Sequence, residues 1–111
     1  MATVISHMRT CGKTHRITVL PMNAEGNFDV KIESDCPKVQ FFGENLKYLT
    51  MEDITDFDNT RLNKREVRGD MSLPCLAPIA LLNAAWLEAE MLSRSLVKRV
   101  KENSIDFSEI Q

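Results

Sequence analysis

The sequence predicts an α+β fold: an antiparallel sheet of three to four strands, opening with an N-terminal hairpin, packed on one face by two main helices. Three observations predict it. Asn27 to Ser34 alternates strictly, Phe28, Val30 and Ile32 against Asp29, Lys31 and Glu33, the period of two that buries one face of a strand and wets the other. Asn23-Ala24-Glu25-Gly26 just before it has the residue types of a hairpin connection. Two later stretches, one from Pro37 and one from Ala77, space their apolar residues three and four apart.

The elements follow in chain order. Thr3 to His7 is a first short strand, turning at Cys11-Gly12, where glycine permits a positive φ. Arg16 to Leu20 is the second strand and pairs with 27–34 across the hairpin. Asp35 or Cys36 then caps a helix whose first turn holds Pro37, a position where the missing N–H costs nothing. This helix is expected to run to about Tyr48, burying Val39, Phe42, Leu46 and Leu49, with Phe41 widening the stripe toward the sheet and Gly43 weakening it. Thr50 and Asp53 form a capping box that starts a short helix. Residues 61–70 are highly charged and form an exposed connection or a short polar helix ending at Gly69. Arg68-Gly69-Asp70 matches a cell-adhesion tripeptide by chance and is given no function. The core helix begins at Ala77-Pro78 and is expected to bury Ile79, Leu82, Trp86, Ala89 and Leu92. Residues 93–100 either prolong it or release the chain toward a last edge strand over Ser104 to Phe107.

A chain of 111 residues with 43% hydrophobic and 27% charged residues has the size and composition of one globular domain, 1–111. A net charge of −2 and a pI of 5.7 argue against a dedicated nucleic-acid binder. The basic cluster Arg94, Lys98, Arg99 and Lys101 is that of a solvated helix face. No apolar run reaches the roughly 20 residues of a membrane span, and no secretory leader is visible, so the expected location is the cytoplasm.

The chemistry lies in three cysteines, Cys11, Cys36 and Cys75. Their odd number and wide spacing do not suit a disulfide framework. Asp35-Cys36-Pro37 and Pro74-Cys75-Leu76-Ala77-Pro78 each put a thiol just before a helix, where unpaired N–H groups and the positive end of the dipole favour thiolate, the form that binds metals and attacks electrophiles. Two helix starts and the Cys11 turn could converge on one sheet edge as a triangle of sulfur ligands for zinc or an iron–sulfur cluster. His15, four residues from Cys11, is the preferred fourth ligand over His7, against the competing reading of an exposed strand histidine. Inert burial and unliganded reactive thiols are the other readings of the cysteines.

Cys11-Gly12, Ser34-Asp35-Cys36-Pro37 and Cys75 with Pro78 resemble the three motifs of a family of small uncharacterised proteins from methanogenic archaea and anaerobic bacteria, over nearly the whole chain. More distantly, Cys36-Pro37 and Cys75 resemble the helix starts of the TSCPD domain, a module attached to some ribonucleotide reductases and thought to bind metal. Leu76-Ala77 departs from its second motif, and Cys11 lies outside it. The closer family has no established activity to carry over, but its matching cysteine motifs strengthen the metal reading, and the expected function is a three-cysteine zinc or iron–sulfur protein with an accessory or carrier role in anaerobic metabolism. Two other function classes stand beside it: a metal-free interaction module or homodimer using the surface around Phe41, Phe42 or Trp86, and a thiol-dependent enzyme using Cys36 as nucleophile, though no general base is placed beside it.

Overall fold

A computed structural model describes residues 1–111. Four strands, β1 (Ala2–Met8), β2 (Lys13–Val19), β3 (Phe28–Ser34) and β4 (Tyr48–Leu49), form an antiparallel sheet in the order β1-β2-β3-β4. Between and after them run α1 (Pro37–Leu46), α2 (Met51–Thr55), a 3₁₀ turn (Arg61–Asn63), α3 (Arg65–Arg68), α4 (Ala77–Glu88) and α5 (Arg94–Val100). The alternation seen in the sequence sets the two faces of the sheet. Ile17 and Val19 on β2 and Phe28 and Ile32 on β3 are buried, whereas Thr3, Ile5, His7, Arg16, Asp29, Lys31 and Glu33 are exposed on the other face. Both main helices cover the inner face, and one apolar core joins Val39, Phe42 and Leu46 of α1 to Ala77, Leu81, Ala84 and Ala85 of α4.

Four expectations need correction. First, α1 stops at Leu46 rather than Tyr48: Lys47 takes a positive φ of 67° and its N–H bonds Gly43 O, after which Tyr48 and Leu49 pair with Asp29 and Phe28 as β4. Two residues are too short to show a period, so the strand was invisible in the pattern. Second, Phe41 does not face the sheet; it is half exposed and its ring lies against Gly69, where a Cβ would stand 2.9 Å from Phe41 Cε1. Third, Ile79, Leu82 and Trp86 are not the buried stripe of α4, and the helix ends at Glu88, short of Ala89 and Leu92. Its buried residues are Ala77, Pro78, Leu81, Ala84, Ala85 and Leu87, and Ile79 is 58% exposed. Both faces of this helix are apolar, and the alanine face lets its backbone sit close to β1 and β2. Fourth, residues 93–100 form the separate helix α5, capped by Ser93 Oγ on the Leu96 N–H, and Ser104 to Phe107 pairs with no strand.

The rest of the chain follows the expected local chemistry. Thr50 and Asp53 close their capping box in both directions, at 3.1 and 2.9 Å. Gly43 is the point where α1 meets β3, since a Cβ there would lie 2.9 Å from Ile32 Cβ. The glycine that weakens the isolated helix is what lets it pack. No helix is long and apolar enough to cross a membrane.

Candidate functional site

The topology carries the cysteines toward one end of the sheet. Cys11 lies in the β1–β2 turn, with its N–H on Met8 O. β3 ends at Ser34, and Asp35 is tied back to the start of β2: the Thr14 N–H donates to Asp35 Oδ1 at 3.1 Å, and Lys13 Nζ to its carbonyl at 3.4 Å. Cys36 follows as the N-cap of α1, without a side-chain cap bond. α4 packs along β1 and β2 with Glu88 Oε2 3.4 Å from the Met1 amine. Its 12 residues span about 18 Å, comparable with the length of a seven-residue strand, so its other end, with Cys75 just before it, lies toward the end where β1 and β2 turn.

Depth separates the three thiols. Cys11 is exposed, Cys36 half-buried and Cys75 buried in the core. No three Cys, His, Asp or Glu side chains stand close enough together to hold a metal ion, so the sulfur triangle is not a preformed centre.

His15 corrects the reading of an exposed strand histidine. It is in phase with Ile17 and Val19 and is buried, 1% exposed, on the inner face, directly between Ser6 of β1 and Ser34 of β3. Its Nδ1 is 2.7 Å from Ser34 Oγ, which also accepts the Cys36 N–H at 2.9 Å. One serine hydroxyl therefore links the imidazole to the backbone of the α1 cap. Burial pushes the imidazole below its ordinary pKa, against the opposing pull of the Asp35 carboxylate, which favours the neutral ring. His15 Nε2 and Ser6 Oγ, both buried, find no partner among the protein's own groups. A neutral imidazole anchored through one nitrogen and open at the other is oriented as a ligating histidine is. His7, on the opposite face, is exposed.

Ser6 and Ser34 carried no weight in the sequence, yet the signal was there. Counting by twos from Ile17 and Val19 puts His15 on the core face; from Ala2 and Val4 it puts Ser6 there, and from Val30 and Ile32, Ser34.

Residues 2–100 match the model of a family of unknown function, DUF6951. The chain belongs to this family. No curated protein and no solved structure matches it. The DUF6951 match spans all three cysteines, His15 and both serines, and stops at the last residue of α5.

Proposed function

We propose that DUF6951, in this chain, is a thiolate metal-site module: Cys11, Cys36 and Cys75 supply sulfur, and His15 Nε2 supplies nitrogen, to zinc or an iron–sulfur cluster. The observation that carries the reading is the joint arrival of separate cysteine segments and a buried, neutral, one-sided histidine at one end of the sheet. In the tautomer this reading requires, Nδ1–H donates to Ser34 Oγ, 2.7 Å away, and the Nε2 lone pair is free for a metal. In this reading the exposed β1–β2 turn brings Cys11 over the sheet end to complete the ligand set. A site completed by an exposed turn suits an accessory or carrier role, and the resemblance to proteins of methanogens and anaerobic bacteria is the ground for reading that role within anaerobic metabolism.

The test is elemental analysis with an ultraviolet–visible spectrum on untagged protein purified without oxygen. The reading requires roughly one zinc or one iron cluster per chain, lost in Cys36→Ser and in His15→Ala. Metal-free protein that stays folded overturns it. If iodoacetamide then modified Cys36 much faster than Cys11, the thiol-dependent enzyme would become the better account.

A second reading rests on α4. Its unburied apolar face forms, with its neighbours, a groove of about 310 Å³ lined by Ile54, Leu82, Asn83, Trp86 and Leu92. That groove supports a metal-free interaction module working through Trp86 rather than through the cysteines.

A further inference from the structure

The apolar side chains that find no place in the core gather at the C-terminal end. α5 buries none of its residues, and every residue from Lys98 to Gln111 is exposed. Leu96 and Val100, four apart on α5, share one face. Beyond it Ile105, Phe107 and Ile110 are 64%, 62% and 79% exposed. The arm is fixed at its base, where the Ser93 cap and the Arg94 to Glu88 ion pair, at 3.2 Å, set its direction. At Lys101 the backbone takes a positive φ of 71° and the helix stops.

The charges of the arm are sorted in blocks. Arg94, Lys98, Arg99 and Lys101 make its first half cationic, and Glu102, Asp106 and Glu109 make its second half anionic. Both halves carry exposed apolar residues among their charges, and the single chain leaves both open, since neither the helix nor the irregular segment after it covers the other.

We propose that residues 94–110 are a homodimerisation arm, in which α5 of one copy packs antiparallel on the 102–110 segment of a second copy, and the reverse, about a two-fold axis. An isologous contact requires a self-complementary surface, and a surface made of one cationic and one anionic half with apolar residues in each meets that condition. Leu96 and Val100 of one copy cover Ile105 and Phe107 of the other, while the cations of each α5 face the carboxylates of the opposite segment. Parallel pairing is rejected by the same sorting, because it sets like charges against each other. Much of the attraction is between exposed charges, so the dimer weakens as salt shortens the screening length from about 10 Å at 0.1 M to about 3 Å at 1 M. The proposal is independent of the cysteines.

Light scattering on the full chain after gel filtration tests it. At low salt and about 100 μM protein, a range where a modest interface of this kind associates, the mass should be twice the 12.6 kDa of one chain. It should return toward a monomer in 1 M NaCl or in Leu96→Asp/Val100→Asp. Swapping the charge blocks (Lys98→Glu/Lys101→Glu with Asp106→Lys/Glu109→Lys) should preserve the dimer, whereas either half of that swap alone should break it. A monomer at low salt overturns the proposal. So does a dimer indifferent to the arm variants, which would move the contact to the Trp86 groove. An arm shielded from protease in a monomeric chain also overturns it, since it would mean that the tail folds back on its own helix.

Discussion

Replacing Asp53 by Ala should cost about 3 kcal/mol. Asp53 is 3% exposed, and its carboxylate accepts the Thr50 N–H at 2.9 Å, the Arg61 N–H at 3.0 Å and the Arg61 guanidinium at 2.8 Å. Burial alone would raise its pKa; the bonds from Arg61 and Thr50 outweigh that and hold the carboxyl below its ordinary value. Alanine removes the reciprocal half of the capping box, about 1 kcal/mol. It also strands Arg61, and breaking a buried pair by removing one partner costs about 3–5 kcal/mol. Arg61 is a third exposed, at 31%, and keeps both its bond to Tyr48 O and its stack on the Tyr48 ring, 4.4 Å away, so the lower figure applies to the whole change. With an unfolding entropy of about 2.1 cal/mol/K per residue over 111 residues, the melting temperature should fall by about 13 °C. Circular dichroism gives the melt, and the single tryptophan, Trp86, whose Nε1–H donates to Ile54 O in α2 at 2.8 Å, reports the same region in urea. A group with a depressed folded pKa stabilises above its unfolded value, about 3.9, and that stability is lost as pH falls through the folded value. The gap between wild type and Asp53→Ala should therefore be flat above about pH 5 and shrink below it. A loss under about 1 kcal/mol, the range of an exposed ion pair, or a gap that does not narrow in acid, would refute this account of Asp53.

Gly43→Ala should destabilise by up to about 2 kcal/mol net, the roughly 1–3 kcal/mol of overpacking against Ile32 being offset by the roughly 1 kcal/mol that alanine gains in helix propensity; a raised urea midpoint would show that α1 can move off the sheet without loss. The three thiols should react with an aromatic disulfide reagent in order of depth, Cys11 at once, Cys36 more slowly and Cys75 at the rate of unfolding, with equal rates counting against the burial series.

What the sequence revealed depended on whether one period dominated a segment. β3 was legible because its polar and apolar residues alternate cleanly. The Thr50–Asp53 capping box was legible because it is a local contact, written within four residues. α4 misled because it is apolar all round: a stripe through Ile79, Leu82 and Trp86 fits the helical period as well as one through Leu81, Ala84 and Ala85, and only the closeness of approach to the sheet separates them. His15 falls outside a strand counted from Arg16, three residues after the true start at Lys13, and only the full strand puts it in phase with Ile17 and Val19 on the buried face. The arrival of the cysteines at one end follows from strand order and helix direction, both readable in outline. Their separation in depth follows from tertiary packing, which no local pattern encodes.

The two ends of β3 are built on different terms. At its start, Phe28 and Asp29 pair with β4, and the adjoining Asp53 has several donors for one buried carboxylate. At its finish, Ser6 and His15 stand side by side in the sheet, each with a buried polar atom that no protein group satisfies. An unsatisfied buried group costs about 1–3 kcal/mol, and an apolar residue of similar size at either position would avoid the cost. Protein groups alone therefore satisfy the Asp53 end, whereas the His15 end leaves two polar atoms for something other than the protein to meet. Paired buried polar atoms of this kind are where a water or a bound group makes up the difference, and this is the physical reason to begin any ligand search beside Ser6 and His15.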